Sequence, residues 1–355
     1  MFDFKVKSQI RNYSVKFIDN SISILNKEIK NGDVLIIDKE IKRIYPELVN
    51  SIPKRNLLIS ISAHEKQKSY EGLIPIIQEL IEKGFRKNNR LIGIGGGITQ
   101  DIIAFTASIM YRGVDWIFFP TTLLAQGDSC IGSKTSINFG EYKNQLGGFY
   151  PPSKIYIDLN FLDSLSNSEL QSGLGEMSHY FVVSGKKDFF EFKENYKEAF
   201  SKKSVLAKMI GRSLGIKKDY IERDEFDQNE RQVFNYGHSF GHAIESLTDY
   251  SVPHGVAVSF GMDIANFISI KKELLNPKIR LDIRELLQKI WEGYEIKHLN
   301  VNEFRSILAK DKKNIGNELR LILCRGYGKV FKASVKNDEK LEYWLSEYFQ
   351  KELTS

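Results

Sequence analysis

Three of the six histidines in this chain fall in one short stretch, NYGHSFGHAIESLTDYSVPH, which covers residues 235–254. His238 and His242 are four residues apart, so on a helix both imidazoles would lie on the same face. His254 follows after a turn, and three imidazoles that converge from a helix and the loop after it are suitable ligands for a divalent metal. The alternative is one core histidine with two surface histidines. The spacing resembles HExxH, but Ser239 replaces the glutamate that a zinc protease needs as its general base, which disfavours a peptidase.

A second candidate site is the glycine-rich segment GIGGGITQD, residues 93–101. Glycines between a strand and a helix let backbone N–H groups approach a pyrophosphate, which the N-terminus of the helix also favours. The pattern is a glycine triplet with an aspartate four positions on, and it is neither the GxGxxG fingerprint nor a Walker loop. It favours nucleotide binding, with a tight structural turn as the alternative.

The segment 120–144, PTTLLAQGDSCIGSKTSINFGEYKN, is denser in polar side chains than a connecting loop requires. A solvated loop has the same composition, but long loops in compact domains are usually functional, so we expect a binding role. Its polar residues are Thr121, Thr122, Gln126, Asp128, Lys134, Asn138, Lys143 and Asn144.

The helices and strands that would position these segments are predicted from the pattern of hydrophobic residues. Short strands are predicted at 13–17, 34–37, 57–61, 90–94 and 116–119, with helices at 70–84 and from the glycine triplet to residue 110. Strands that alternate with helices predict a mostly parallel, Rossmann-like sheet. From residue 162 the patterns become helical, beginning with a capping box at Ser166 and Glu169, and Glu176 and His179 share a helix face. We expect two domains, an α/β domain at 1–160 and a helical domain at 161–355.

Composition narrows the function classes. The chain is 42% hydrophobic and 12% aromatic, so it can bury sizeable cores. The net charge is +6, but basic and acidic residues are interspersed, which disfavours nucleic-acid binding and is compatible with an anionic small substrate. Two cysteines give no disulfide framework. The first residues have no signal-peptide apolar core and no run is long enough to span a membrane, so the expectation is a cytoplasmic protein without membrane partners.

Taken together and in order, the motifs resemble 3-dehydroquinate synthase and the wider sugar-phosphate cyclase family. The matching motifs are GGGITQD, the pair Arg112–Gly113, PTTLLAQGDS, GSKTSIN, KN at 143–144, GLGEMSHY, and RQVFNYGHSFGHAIE with His254. An ordered set over about residues 34–325 is far more specific than any single motif. The resemblance implies an N-terminal, Rossmann-like NAD-binding α/β domain and a mainly α-helical C-terminal metal-binding domain. It also implies an active site in the cleft between these domains and a homodimer.

The resemblance also implies roles for individual residues. The implied ligands of a Zn²⁺ or Co²⁺ ion are Glu176, His238 and His254. The implied NAD-binding residues are Asp38, Glu65, Lys68, Gly95, Gly96, Gly97, Asp101, Thr121, Thr122, Asp128 and Lys143. The implied substrate-binding residues are Arg112, which would reach the phosphate in the neighbouring subunit, Asp128, Lys134, Asn144, Lys217, Arg231, Asn235, His242, and Lys312 or Lys313. The catalytic candidates are His242, Lys134, Asn235, Arg231 and His179.

The implied activity is NAD- and metal-dependent cyclisation of a phosphorylated sugar acid with elimination of phosphate. The first expectation is conversion of 3-deoxy-arabino-heptulosonate 7-phosphate to 3-dehydroquinate. The residue chemistry agrees, because such an acid needs several cations and the guanidinium of Arg231 can hold a carboxylate with two parallel hydrogen bonds. NAD would be regenerated in each turnover and would act as a catalytic cofactor.

The chain departs from the family pattern mainly at one position, with smaller departures at Gly127 and Ser133. Dehydroquinate-forming members usually carry lysine three residues after the metal-binding glutamate, and this chain has His179. The departure is either tolerated drift or part of a change of substrate, for example to sedoheptulose 7-phosphate in cyclitol formation. A metal-dependent polyol dehydrogenase and a catalytically silent NAD-binding protein are also compatible with parts of the pattern. A dehydrogenase, however, would not need Lys134, Lys217, Arg231 and Asn144 together.

Overall fold

The computed structural model describes residues 2–140, 142–310 and 314–353. The chain forms two compact units: residues up to Leu165 with Ile210–Phe226, and Ser166–Met209 with the residues from Asp227 onward. The predicted boundary between 160 and 161 is close to the first junction. The prediction that everything after it is one domain differs from the structure at Ile210–Phe226. This segment belongs to the first unit because Ser213 Oγ donates to Gly127 O at 2.8 Å and Lys217 Nζ contacts Asp128 Oδ1 at 2.7 Å.

The first unit is built on a seven-stranded sheet, whose central strands are buried runs of Val, Ile, Leu and Phe. The strands of this unit are β1 (Phe4–Val6), β2 (Tyr13–Ile18), β3 (Val34–Asp38), β4 (Leu57–Ile61), β5 (Arg90–Gly95), β6 (Asp115–Pro120), β7 (Lys134–Phe139), β8 (Tyr142–Phe149) and β9 (Lys154–Asp158). The sheet order is β1-β2-β9-β6-β5-β3-β4, and only the β1–β2 pair is antiparallel. The prediction of a mostly parallel, Rossmann-like sheet is therefore confirmed.

Helices cover this sheet, and one core lies between helix and strand side chains. The helices are α1 (Ser21–Glu28), α2 (Lys39–Ile44), α3 (Pro46–Asn50), α4 (Tyr70–Glu82) and α5 (Gly97–Ile109). Leu25 of α1 packs in a buried cluster with Leu35 and Ile37 of β3 and with Ile92 and Ile94 of β5. The aliphatic side chains of β3 and β5 thereby fix the two strands whose ends matter for ligand binding.

The connections change direction between β3 and β5. Strand β3 leads to β4 on one side, whereas β5, on the other side of β3, leads through α5 to β6. Right-handed crossovers that run in opposite directions lie on opposite faces of a sheet, which leaves a crevice at the carboxyl ends of the two strands. Asp38 ends β3 and Gly95 ends β5, so the fold places two predicted cofactor-binding positions at this crevice.

The segment 120–144 is not one irregular loop, and that part of the prediction was wrong. It contains a π-helical turn at Ala125–Ser129, and β7 pairs with β8 as an antiparallel hairpin. The strand pattern was hidden because Ile137 is the only aliphatic side chain in β7, where Thr135 is also buried, and because β8 is mostly exposed.

The second unit is mainly helical, as predicted. Its helices are α6 (Asn167–Ser184), α7 (Lys186–Asn195), α8 (Lys203–Arg223), α9 (His238–Leu247), α10 (His254–Lys271), α11 (Pro277–Ile290), α12 (Val301–Ala309) and α13 (Glu339–Glu347). Helix α8 contributes only its first part to this unit and the rest to the first one. The predicted capping box of α6 is present. An antiparallel pair, β10 (Glu318–Cys324) and β11 (Val330–Lys336), adds a small sheet. Across the described ranges, every helix is too short or too polar to cross a lipid bilayer.

Candidate metal centre and cofactor site

Glycines allow three helices of the second unit to touch backbone to backbone. A Cβ on Gly255 would lie 1.8 Å from Ser172 O, so α10 can approach α6 this closely only without a side chain. A Cβ on Gly261 would lie 2.0 Å from Gly237 O, and Gly237 itself adopts a left-handed φ of +84° before α9. These contacts hold α6, α9 and α10 together at the turns that carry the predicted metal ligands.

The three predicted ligands meet at one buried carboxylate. Glu176 Oε1 lies 3.3 Å from His238 Nε2, and Glu176 Oε2 lies 3.3 Å from His254 Nε2. The side chain of Glu176 is only 4% exposed. Ligands bonded at about 2.0–2.1 Å to a tetrahedral ion are about 3.3–3.4 Å apart, so these separations fit a metal such as Zn²⁺. His254 is the first residue of α10, and the prediction that it lies in the loop after α9 was wrong by this small amount.

Electrostatics favour a cation at this point. Burial alone would raise the pKa of Glu176, but the imidazoles of His238, His179 and His254 outweigh burial and hold that pKa well below its usual range. Burial alone would lower the pKa of His254, but hydrogen bonds to Glu176 and Glu245 raise it well above its usual value. The carboxylate therefore stays ionised and needs positive charge beside it, from imidazolium or from a metal.

Glu245 is a site residue that the sequence reasoning missed. Its Oε2 lies 3.0 Å from His254 Nδ1. An ionised carboxylate only accepts hydrogen bonds, so Nδ1 carries a proton in the contact with Glu245. Nε2 faces Glu176, and a metal bound there would replace the Nε2 proton and take its lone pair. Helix periodicity places Glu245 on the face of His238 and His242, at i+7 and i+3 from them, but its contact with His254 depends on how α9 and α10 pack.

His242 lies beside this group and is exposed. Its ring centroid is 5.7 Å from those of both His238 and His254. Among the described residues, His242, Glu245 and His254 form a second group with ligand atoms close enough to hold a metal. The first group is the better metal centre because Glu176 is buried, while an exposed His242 suits contact with a substrate.

Two further predicted substrate residues lie on a short 3₁₀ turn, Glu230–Asn235. Arg231 is buried, and Asn235 Nδ2 donates to Gln232 O at 3.0 Å. Asn235 also lines a polar cavity of about 340 Å³. The other lining residues are Asp227, Gln232, Arg320, Ile322 and Lys332. Sequence reasoning missed Arg320 and Lys332, which bring two cationic side chains to this cavity.

In the first unit the glycine triplet begins α5. A Cβ on Gly95 would lie 2.4 Å from Thr99 Oγ1 and one on Gly96 would lie 2.9 Å from Thr122 Cγ2, whereas one on Gly97 would meet only Ser129 Oγ at 3.8 Å. Gly96 is the N-cap, and within the described residues no side chain caps this end of the helix. The first N–H groups of α5 are therefore available to an anion such as a pyrophosphate.

The other predicted cofactor-binding residues surround this turn. Asp38 lies at the end of β3 and caps α2, accepting from Glu40 N at 3.0 Å, and burial raises its pKa. Thr121 follows β6 and donates its N–H to Gly95 O at 3.0 Å. The structure thus brings Asp38, the glycine triplet and Thr121 to the carboxyl ends of the adjacent strands β3, β5 and β6.

Charged members of the predicted set form ion pairs near the hairpin. Lys68 Nζ lies 2.8 Å from Asp101 Oδ2, and Lys143 Nζ lies 3.9 Å from Glu65 Oε1. Asn138 Nδ2 donates to Glu65 Oε1 at 2.8 Å, which ties this group to β7. Burial raises the pKa of Asp101 even though Lys68 opposes the shift.

The remaining predicted residues of the first unit differ in their surroundings. Lys217 Nζ contacts both Asp128 Oδ1 at 2.7 Å and Asp128 O at 2.8 Å. Lys134 begins β7 and is exposed. Asn144 has a left-handed φ of +54° and its Oδ1 accepts from Ser136 Oγ.

Arg112 is exposed and has a left-handed φ of +59°, directly after Tyr111 at +48°. Such conformations cost about 1–3 kcal/mol each and cluster at functional positions. Lys312 and Lys313, the last of the predicted substrate contacts, lie outside the described residues.

Comparison with known proteins gives matches over the whole chain. The family models for 3-dehydroquinate synthase match residues 58–172 with the N-terminal part and residues 173–314 with the C-terminal part. The 3-dehydroquinate synthase of Pelagibacter ubique is 35% identical, with 100% of this chain and 99% of the relative covered. That of Dictyoglomus turgidum is 38% identical, with 84% of each chain covered.

Solved structures with the same fold include two synthases. A 2-deoxy-scyllo-inosose synthase, complexed with carbaglucose-6-phosphate, NAD⁺ and Co²⁺, is 20% identical with a TM-score of 0.83 and covers 98% of this chain and 99% of its own. The 2-epi-5-epi-valiolone synthase of Streptomyces hygroscopicus, with NAD⁺ and Zn²⁺ bound, is 24% identical with a TM-score of 0.83 and covers 94% and 95%. An iron-containing alcohol dehydrogenase is more distant, at 13% identity and a TM-score of 0.65, with 96% and 98% covered.

Proposed function

This chain belongs to the 3-dehydroquinate synthase family, and we propose that it converts 3-deoxy-arabino-heptulosonate 7-phosphate to 3-dehydroquinate and phosphate, as a carbon-oxygen lyase that uses NAD and a divalent metal. The observation that carries the proposal is the buried Glu176 carboxylate with His238 Nε2 and His254 Nε2 each 3.3 Å away. A chain that aligns end to end with a 3-dehydroquinate synthase keeps a donor set suited to Zn²⁺ or Co²⁺.

The second unit supplies the groups that hold and orient the metal. When bound, a divalent cation polarises adjacent substrate oxygens and stabilises negative charge on them. Glu176, His238 and His254 hold it, and Glu245 fixes the tautomer of His254. His242 stands exposed at the edge of the group, where an imidazole can contact the leaving phosphate and exchange a proton with it near neutral pH.

The first unit supplies the cofactor site. When bound, NAD provides a temporary acceptor for a hydride that is returned later in the same turnover. The uncapped first turn of α5 binds its pyrophosphate, and Asp38 at the end of β3 takes a ribose hydroxyl. Glu65, Lys68, Asp101 and Lys143 form the charged wall beside it.

The predicted cationic residues match a substrate that is both an acid and a phosphate ester. Arg231 can hold a carboxylate with two parallel hydrogen bonds, and Lys217 is a second cation of the predicted substrate set. The other substrate contacts of the proposal are Lys134, Asn144, Asn235, and Lys312 or Lys313.

The test is release of phosphate by the purified protein with NAD⁺ and either Zn²⁺ or Co²⁺. Two parallel reactions receive 3-deoxy-arabino-heptulosonate 7-phosphate or sedoheptulose 7-phosphate, and the products are identified by mass. We expect fast release only from the first, with 3-dehydroquinate as product. Release only from the second would support the alternative cyclase and would make His179 part of a change of substrate. NADH that accumulates with a simple polyol, without phosphate release, would instead support a dehydrogenase.

We also propose that the enzyme is a cytoplasmic homodimer in which Arg112 serves the site of the neighbouring subunit. The left-handed backbone and exposure of Arg112 support this role. The inactive variants Arg112→Ala and His254→Ala are unfolded and refolded together. If Arg112 acts across the interface, mixed dimers regain one complete site and phosphate release returns. If Arg112 acts within its own subunit, or if the protein is monomeric in light scattering, the mixture stays inactive.

A further inference from the structure

His179 is the one residue near the metal centre that departs from the family pattern, and its surroundings define what it does. It lies on α6 three residues after Glu176, and its side chain is 1% exposed. Its contacts are with the protein.

The ring of His179 is aimed at the metal-binding carboxylate. His179 Nε2 lies 3.3 Å from Glu176 Oε1, the same oxygen that faces His238 Nε2. Because an ionised carboxylate only accepts hydrogen bonds, His179 is the donor in this contact. Two groups of described residues have ligand atoms close enough together to hold a metal, and His179 belongs to neither. It therefore acts on a ligand and is not itself one.

Aromatic neighbours fix the plane of this ring. The ring of Tyr180 lies 4.0 Å from the His179 ring between centroids, and those of Phe234 and His238 lie 5.8 and 5.3 Å away. Tyr180 and Phe234 also pack edge to face at 4.5 Å. A rigid donor in an aromatic wall can hold a carboxylate in one rotamer, whereas the charge of a lysine sits at the end of a flexible four-carbon chain.

We propose that His179 is a positioning residue for the metal centre: it donates Nε2–H to Glu176 Oε1 and holds that carboxylate in the orientation that binds the metal. The proposal rests on the metal site of the proposed function. It also removes the role of His179 as a residue that touches substrate. Partners that orient metal ligands typically change metal affinity by about 10–100-fold when they are lost.

The test measures metal affinity directly, independent of turnover. Metal-stripped protein is titrated with Co²⁺ against a chromophoric chelator, and the visible spectrum of the bound ion is recorded. His179→Gln keeps an amide N–H near the position of Nε2, and His179→Asn is similarly polar but too short to reach Glu176. Ser178→Ala is the matched control, because Ser178 is buried on the same turn and donates to Gly175 O at 2.6 Å without contacting the Glu176 side chain.

We expect His179→Asn to bind Co²⁺ about 10–100-fold more weakly with an altered spectrum, and both His179→Gln and Ser178→Ala to remain near the wild type. At saturating metal, the KM for substrate should not change in the Asn variant. Unchanged Co²⁺ affinity in His179→Asn, or a KM that rises tenfold at saturating metal, would overturn the inference and make His179 a substrate contact. If His179→Asn does not fold, as judged by thermal unfolding, the Co²⁺ affinity of folded His179→Gln decides. A tenfold loss of Co²⁺ affinity in this variant overturns the inference, and native affinity supports it. Wild-type protein that binds no Co²⁺ would overturn the proposed function as well.

Discussion

The two candidate sites use opposite means to bind their ligands. In the first unit two carboxylates of the predicted site already face lysines, with Asp101 beside Lys68 and Asp128 beside Lys217. What remains for a cofactor there is mainly Asp38 and the backbone geometry at the start of α5. In the second unit the carboxylate of Glu176 faces the imidazoles of three histidines. That site presents charge and ligand atoms from side chains on three helices.

This difference determines which kinds of substitution should impair each site. The cofactor site should be sensitive to shape and tolerant of changes in neighbouring charge, because its ion pairs lie within the protein. The metal centre should be sensitive to the loss of any single donor or orienting group. Substitutions at four places in the chain test this contrast, in order of decreasing effect.

His254→Ala should have the largest effect, because it removes one of the three proposed metal ligands. A metal contributes several kcal/mol to such chemistry, so phosphate release should fall by about 10³-fold or more. Bound metal, measured by elemental analysis, should be lost while the circular dichroism spectrum stays native. Full metal content and activity would remove His254 from the ligand set.

Glu245→Ala should weaken metal binding by about 10–100-fold, since it takes away the carboxylate that accepts the Nδ1–H of His254. The control is Glu245→Gln, whose side-chain carbonyl still accepts this hydrogen bond. Competition with a chelator measures both. Equal losses in the two variants would show that charge, and not orientation, is what Glu245 provides.

Gly95→Ala and Gly97→Ala separate shape from side-chain chemistry in the cofactor site. A methyl on Gly95 collides with Thr99 and should cost about 1–3 kcal/mol of stability, whereas one on Gly97 meets only ordinary contact. Gly95→Ala should also weaken NAD⁺ binding by about tenfold or more, equivalent to about 1.4 kcal/mol. Calorimetry and thermal unfolding measure these effects. If Gly97→Ala weakens NAD⁺ binding equally with no loss of stability, the ligand itself needs the space above the helix N-terminus.

Glu28→Gln should have the smallest effect of the four, and it acts on stability. Glu28, unlike Glu176, lies outside both candidate sites. Burial alone would raise its pKa, but hydrogen bonds from Lys154 at 2.7 Å and Tyr156 at 2.6 Å outweigh it and lower the pKa below the usual 4.5. A carboxyl with a depressed folded pKa stabilises the protein fully above the unfolded pKa, and this stabilisation is lost as pH falls through the folded pKa. Glu28→Gln should therefore lose less stability than the wild type when urea unfolding is compared at pH 7 and below pH 4.5. Parallel losses would mean that the ion pair contributes nothing.

Sequence patterns predicted those elements whose local hydrophobic or capping pattern matches their position in the fold. The buried strands ending at Asp38 and Gly95, the capping box of α6 and the face shared by His238 and His242 are of this kind. The family resemblance, which the matching models and relatives confirm, connected motifs that lie far apart in the chain.

Other features could not be read from one sequence, because they depend on contacts between distant segments. The hairpin β7–β8 has few apolar side chains, so it carries no strand pattern. The link from Glu245 to His254 and the burial of His179 arise only when α6, α9 and α10 pack closely. The transfer of Ile210–Phe226 to the first unit follows from contacts of Lys217 and Ser213, which local hydrophobicity does not encode.

The split of the first unit into two stretches of chain constrains how the protein matures on the ribosome. The first unit starts with the N-terminus but is finished only by Ile210–Phe226, and the ribosome must release Ser166–Met209 before that piece emerges. Until then Asp128 lacks the Lys217 ammonium and the carbonyl of Gly127 lacks the Ser213 hydroxyl. The first unit therefore cannot be completed before Ser166–Met209 of the second unit has been synthesised. A nascent chain stalled after Leu165 should remain protease-sensitive around 125–129, and one stalled well beyond Phe226 should become resistant there.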